Sequence, residues 1–346
     1  MGQDVVLPTS EEEPSTEAAA AIAEFLAAEE AADDDQSEDI SPFIEGTNIQ
    51  WAWDSTSLNY AKTCARLYQY VMIEGWQSEN ESVHLRFGQE LHTAFQQYHI
   101  ERAAGVEHDD ALQDVIHELL HRTWGWKVDT TTRAGKYKNR HSLVHAVISY
   151  LDEHAEDPAS TAIKEDGAAA VELSFRFEIE MAPRAAPERP YMLCGHLDRV
   201  VEFGGDLYVN DYKTTMTTPG SYYFDKYNPD NQMSLYTLAG NMIFKAPVKG
   251  VIIDAVQVMV DDVRVVRGMT QRTSGQMDEW VDGLGYWLNL SEYWAESNYY
   301  PMNDTACNNY GGCRFRSICA KDASVREQFL KAEFKKGERW NPLKVR

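Results

Sequence analysis

The chain has 346 residues, 43% of them hydrophobic and 11% aromatic, enough for one large domain with insertions or for two ordinary ones. No apolar run is long enough to cross a bilayer, and no basic stretch followed by an apolar one opens the chain. The expectation is a soluble, cytoplasmic protein without a membrane role. The net charge of −23 is uneven: residues 1–48 hold 14 Asp and Glu and no Lys or Arg, leaving −9 on the remainder. A nucleic-acid partner is therefore not excluded, provided that local basic patches meet its phosphates.

Residues 1–48 read as a disordered acidic arm, rich in Glu, Asp and Ala with little to bury. Such an arm is either a solubilising tail or a DNA mimic that shields a site. Ordered structure is expected from Ile49, where Trp51 and Trp53 enter. Ser57 can cap a helix carrying Leu58, Ala61, Cys64, Ala65, Leu67 and Tyr68. Further helices are predicted over Leu85–Arg102, Ala111–Trp126 and Ser142–His154, with a basic stretch, Arg133–Arg140, before the last. The period then changes to two. Strands are predicted at Val171–Glu180, Met192–Phe203 and Leu207–Lys213, the last two joined at Gly204-Gly205-Asp206 as a hairpin. A helix at Asn231–Phe244, strands at Gly250–Val260 and Arg264–Met269, and a long helix at Ser274–Ser297 complete the order. The class is α/β: a mixed central sheet flanked by helices, with a helical insertion. The domains are a helical block at 82–155, a sheet at 169–270 and a cysteine cluster at 300–320, all within 49–335, and a tail at 336–346.

Two acidic positions stand on either side of the hairpin: Asp198 in Gly195-His196-Leu197-Asp198-Arg199, and Asp211 in Asn210-Asp211-Tyr212-Lys213-Thr214. Side chains two apart on a strand share a face, so Asp211 and Lys213 point the same way. Phosphodiester hydrolysis needs carboxylates for a divalent cation and gains from a nearby ammonium. An Asp and a Lys alternating on a strand are also what a solvated sheet edge carries. His92 can be a satisfied core histidine. Gln232 and Tyr236, one helical turn apart, can serve packing alone.

Taken in order, these residues resemble the PD-(D/E)xK nucleases, and within them the RecB and AddB nuclease domains and the CRISPR-associated iron–sulfur exonucleases. Asp198 followed by Asp211-Tyr212-Lys213 is similar to the bipartite motif. Gly88-Gln-Glu-Leu-His92 is similar to the helical first motif, and Gln232-Met-Ser-Leu-Tyr236 to the helix after the third strand. The resemblance spans roughly Ser55 to Cys319. It implies a restriction-endonuclease-like core and a Mg²⁺- or Mn²⁺-dependent deoxyribonuclease, most readily an exonuclease in recombination, repair or replication. His92, Asp198, Asp211 and the Tyr212 carbonyl would hold the metal. Lys213 would act in catalysis, with Gln232 and Tyr236 bracing the site. His196 is a candidate for outer support, and Glu172 for completing the metal's surroundings. The alternatives are a catalytically silent module that binds DNA ends and a structure-specific endonuclease. No phosphate-binding Gly-rich loop of the helicase kind occurs, so any unwinding falls to a partner such as a helicase or recombination protein.

Cys307, Cys313 and Cys319 are spaced C-x5-C-x5-C, with Gly311 and Gly312 between the first two. Thiolates at such density suit an iron–sulfur cluster or zinc, and either usually takes four ligands. The resemblance supplies Cys64 as the fourth and a 4Fe–4S cluster as the group. The first spacing departs from the C-x2-C of many relatives, leaving zinc or free or disulfide-bonded thiols open. Cys194 reads as a buried core thiol. Arg314 and Arg316 lie between cysteines, where they could meet a DNA backbone.

Overall fold

The computed structural model describes residues 40–79 and 82–344, so most of the acidic arm lies outside the described residues. Strand β1 (Ala52–Trp53) leads into helices α1 (Ser55–Thr63) and α2 (Ala65–Tyr68), a π-helical turn at Gln69–Ile73 and strand β2 (Trp76–Ser78). Asp54 rather than Ser57 caps α1; its carboxylate accepts from Ser57 N–H, and the Ser57 hydroxyl returns the bond. The break at Cys64, whose backbone is extended, separates α1 from α2.

Four helices follow: α3 (Val83–Ala103), α4 (His108–Arg122), α5 (Arg133–Tyr137) and α6 (Arg140–Glu153). Phe87, Leu91, Phe95 and Tyr98 of α3 recur at helical spacing, and they bury against Val115 and Leu119 of α4 and Leu143, Val147 and Tyr150 of α6. The same cluster takes in Tyr212, Val256 and Val258, so the insertion packs as a layer on the central sheet.

That sheet comprises β3 (Ser160–Thr161), β4 (Val171–Glu178), β5 (Met192–Phe203), β6 (Asp206–Thr215), β7 (Val248–Val258) and β8 (Val263–Gln271), with β1. Its order is β1-β5-β6-β7-β8, with β3 and β4 also paired to β5. The pairs β6–β7 and β1–β5 are parallel and the others antiparallel, giving the mixed sheet expected from the sequence. Between β6 and β7 run α7 (Ser221–Asp225) and α8 (Asn231–Phe244). Gly240 of α8 comes so close to Val209 and Val248 that a Cβ would sit 3.3 Å and 3.0 Å from their methyls. Odd-numbered β6 residues thus face α8, while Tyr212 faces the helical insertion.

The long helix α9 (Ser274–Ser297) leads to the cysteine segment. It contains α10 (Arg316–Cys319) and is followed by α11 (Arg326–Glu333) and strand β9 (Phe334–Lys336). The ordered region begins and ends differently from the sequence expectation. Phe43 is buried and bridges Gln50, so packing begins before Ile49. The stretch at 336–344 is no loose tail: β9 pairs antiparallel with β2, Trp340 Nε1 donates to Asp54 Oδ2 at 3.0 Å, and Leu343 is buried. Short charged segments with single apolar anchors carry no periodic signal, which hides both ends from a pattern reading.

Candidate active site

Strands β5 and β6 pair only from Phe203↔Asp206 to Arg199↔Asn210. Beyond that rung they separate, and β6 continues along β7 alone. Asp198 and Asp211 are the first residues past the fork. Tyr212, with no strand partner on that side, must satisfy its backbone otherwise. Its N–H donates to Asp198 Oδ2 at 3.1 Å, and its carbonyl lies 3.0 Å from His92 Nε2. His92 Nδ1 in turn lies 3.2 Å from Asp198 Oδ1. His92 arrives on α3 from the helical layer, so three chain segments meet at one rung.

Both neighbours of the imidazole are acceptors, so the protonated ring can donate to each. Burial opposes that charge, but Asp198 outweighs it and raises the His92 pKa. Burial likewise disfavours the Asp198 carboxylate, yet His92, Lys213 and the Tyr212 N–H together hold its pKa below the ordinary value.

On the opposite face, Lys213 Nζ donates to Asp211 Oδ1 at 2.8 Å and to Gln232 Oε1 at 3.0 Å. Gln232 Nε2 then donates to the Tyr236 hydroxyl at 2.8 Å, continuing the line along α8. Lys213 Nζ is also 2.7 Å from Asp211 Oδ2, but that contact lacks hydrogen-bond geometry, and Oδ2 keeps no directed partner. Asp211 is 1% exposed. Burial, with the nearby Asp198, pushes its pKa up to about 6 despite Lys213. Carboxylates crowded this way favour an added cation.

The donor set fits a hard divalent ion: two carboxylates, a carbonyl and an imidazole, with one buried carboxylate oxygen unsatisfied. His92 meets Asp198 through Nδ1 and the Tyr212 carbonyl through Nε2, so the ring bridges the two oxygens and would have to turn to offer one nitrogen to an ion they share. Among the described residues, however, no three His, Cys, Asp or Glu side chains already form a closed cage. Asp211 is turned to Lys213, and closing the set requires it to turn away. Gly88, one turn before His92, leaves open space where a Cβ would stand.

The structure places the other candidates as follows. His196 shares the β5 face of Asp198, and its Nδ1 lies 2.9 Å from the Ser174 hydroxyl of β4. Glu172 falls between the rungs Val171↔Arg199 and Leu173↔Leu197, opposite Asp198, with a left-handed φ of +49°. A non-glycine residue there stores strain of about 1–2 kcal/mol. The alternating sequence of β4 gave no hint of it. Also invisible in the sequence was a buried charge network beneath the site. Asp254 of β7 accepts from both Arg267 Nε and Nη2, from Tyr150 and from Asn210, while Asp157 receives the remaining face of Arg267.

Cys64, Cys307, Cys313 and Cys319 all line one pocket, with Leu67, Tyr70 and Phe315. All five cysteines are free thiols, and Cys194 is buried elsewhere, its Sγ directed to Trp53 O. Burial raises the pKa of Cys313, and Cys307 and Cys64 add to the effect. Asn303 N–H donates to Cys64 Sγ at 3.3 Å. Four half-buried thiols around one small space suit a soft metal centre, although they too stop short of a closed cage. Arg316 bonds Asn308 Oδ1, and Arg314 stacks over Phe315.

Among the described residues no helix is long and apolar enough to cross a membrane. A family model described as the PD-(D/E)XK nuclease superfamily matches residues 53–320. No curated protein matches the sequence. Among solved structures, a protein from Eubacterium rectale described as "Putative exonuclease" aligns with a TM-score of 0.46 and 9% identity, over 80% of this chain and 92% of its own. The structure of SSO0001 aligns with a TM-score of 0.27 and 9% identity, over 78% of this chain and 84% of its own.

Proposed function

The chain belongs to the PD-(D/E)XK nuclease superfamily, and we propose that it is a divalent-metal-dependent deoxyribonuclease that degrades DNA from its ends. The observation that carries this reading is the meeting of His92, Asp198, Asp211, the Tyr212 carbonyl, Lys213 and Gln232 at the β5–β6 fork. Action at ends, and a role in recombination, repair or replication, rest on the likeness of the motifs to RecB and AddB nuclease domains and the CRISPR-associated exonucleases.

His92, Asp198, Asp211 and the Tyr212 carbonyl would hold Mg²⁺ or Mn²⁺. Such an ion polarises the phosphate and makes water acidic enough to attack near neutral pH. The chain's own contribution is preorganisation. Asp198 is fixed by Tyr212 N–H, so its carboxylate faces the site without searching. Lys213 keeps its charge because Asp211 and Asp198 outweigh burial. It offers that charge to the water or to the oxygens of the phosphate as negative charge builds. Gln232 accepts from Lys213 and is itself held by Tyr236, so the ammonium stays in place when Asp211 turns away. Cys64, Cys307, Cys313 and Cys319 would hold a 4Fe–4S cluster, or zinc, as a structural clasp.

The test compares wild type with Lys213→Ala on end-labelled linear and closed circular DNA, with Mg²⁺ or Mn²⁺, after anaerobic purification. The expected result is metal-dependent loss of linear DNA alone, reduced at least ~10²-fold in the variant. Cleavage of circles would make it an endonuclease. A folded wild type that binds ends and cuts nothing would overturn the enzyme reading in favour of a binding module.

A further inference from the structure

Between residues 122 and 140 stand six Lys and Arg against a single Asp, in a chain whose net charge is −23. The same segment carries Trp124 and Trp126. Trp124 is 80% exposed, which no packing requirement explains. Each indole has a guanidinium over it: Arg140 lies 5.5 Å from the Trp124 ring and Arg86 lies 5.3 Å from the Trp126 ring. Arg140 is further tied to Leu120 O and Thr123 Oγ1, so the Trp124 platform stands on a held support. Arg133 and Lys136 are exposed on α5.

This surface adjoins the fork. Arg86 precedes His92 by six residues on α3, about 9 Å along the helix axis. Lys138, which closes α5, donates to Thr214 Oγ1 at 2.6 Å, and Thr214 follows Lys213 directly. The open flank at Gly88 lies between them along α3.

We propose that Trp124 and Trp126, with Arg86, Arg133, Lys136 and Arg140, form a platform that receives unpaired DNA and leads it to the fork. Paired bases are stacked on each other and present only their edges, whereas an unpaired strand offers faces to an indole and phosphates to the cations beside it. Aromatic and basic groups interleaved on one surface suit that strand, and its acidity suits a stretch with six cations against one carboxylate. The inference rests on the nuclease reading and adds to it the class of substrate.

The experiment measures binding by fluorescence anisotropy in EDTA, so that cleavage plays no part. The probes are a labelled oligothymidine and a blunt duplex of equal length. Trp124→Ala is expected to weaken single-strand binding about tenfold and to leave duplex binding within about twofold. Arg133→Glu combined with Lys136→Glu, both exposed, is expected to weaken single-strand binding and lower its salt dependence by about one unit of slope or more. Unchanged single-strand affinity in Trp124→Ala overturns the proposal, as does an equal loss on the duplex, which would mark a general phosphate surface. The two readings fail separately. Platform-dependent strand binding by a protein that cuts nothing sinks the nuclease and leaves the platform. Robust cutting with Trp124→Ala indistinguishable from wild type in binding does the reverse.

Discussion

His92 Nε2 lies 3.0 Å from the carbonyl oxygen of Tyr212, 120 residues away in the chain. The carbonyl is available only because β6 has left β5 one rung earlier. A sheet edge is thereby converted into a binding position, with a helix supplying what the missing strand would have supplied. Removing the imidazole should therefore act on metal requirement before it acts on fold. His92→Ala is expected to raise the Mg²⁺ concentration for half-maximal cleavage at least ~10-fold, as loss of a ligand does. A metal titration of the cleavage rate checks this. An unchanged midpoint with lowered thermal stability would instead assign His92 to closing the sheet.

Arg267 is the next position at which a single change has a large expected effect. It neutralises Asp254, which is 0% exposed, and Asp157. Arg267→Met leaves Asp254 buried without its cation and Asp157 with Arg199 alone, 3.9 Å away, at a cost of about 3–5 kcal/mol. Urea unfolding should show the midpoint falling with little change in slope. Adding Asp254→Asn to Arg267→Met should recover part of the loss, because the stranded charge is gone.

Lys138 gives a pH signature. It is 3% exposed, and burial lowers its pKa to about 8. Between that value and the ordinary lysine value of ~10.4, the unfolded chain binds the proton and the folded chain does not. Folding stability therefore gains from this group as pH rises through 8 and beyond, and carries its full penalty below. Lys138→Met should remove that rise, and should stabilise the protein at neutral pH by up to ~3 kcal/mol, less what the Thr214 hydrogen bond contributes. Chemical denaturation of both proteins at several pH values between 7 and 10 makes the comparison. Parallel curves would refute it.

The cysteine pocket predicts metal content. Protein purified without oxygen should contain iron and acid-labile sulfide, about four of each per chain for a 4Fe–4S cluster. Cys64→Ala or Cys313→Ala should lose them, and Cys194→Ala, whose thiol lies apart, should not. Zinc in place of iron would change the group and keep the site. Metal retained by the Cys64 and Cys313 variants alike would remove it.

Much of this was legible in the sequence where local physics sets local structure. Helices α8 and α9 begin and end where expected because Asp230 and Thr273 cap their starts and left-handed Lys245 and Asn298 end them. Strand β5 matches its predicted bounds for a similar reason, with a glycine turn following at once. Helix α4 spans His108–Arg122 rather than Ala111–Trp126, since Glu107 gives it no side-chain cap and the two tryptophans that extended its apolar pattern lie past its end. The pairing of Asp157 with Arg267 joins residues 110 apart that share no period, and only the folded sheet brings them together. The same holds for β9, three residues long, whose partner β2 lies some 250 residues earlier.

That last pairing bears on how the protein is made. Synthesis delivers β2 long before β9, so a growing chain exposes Trp76 and Tyr70 without Phe334 and Leu330 to cover them. The cysteine segment belongs to the same apolar cluster and also emerges late. A ribosome-bound chain can thus complete its central sheet and still lack the strand that pairs with β2. The interval before β9 emerges is when this cluster most needs shelter, and when the thiols beside it stand most open to whatever metal is at hand.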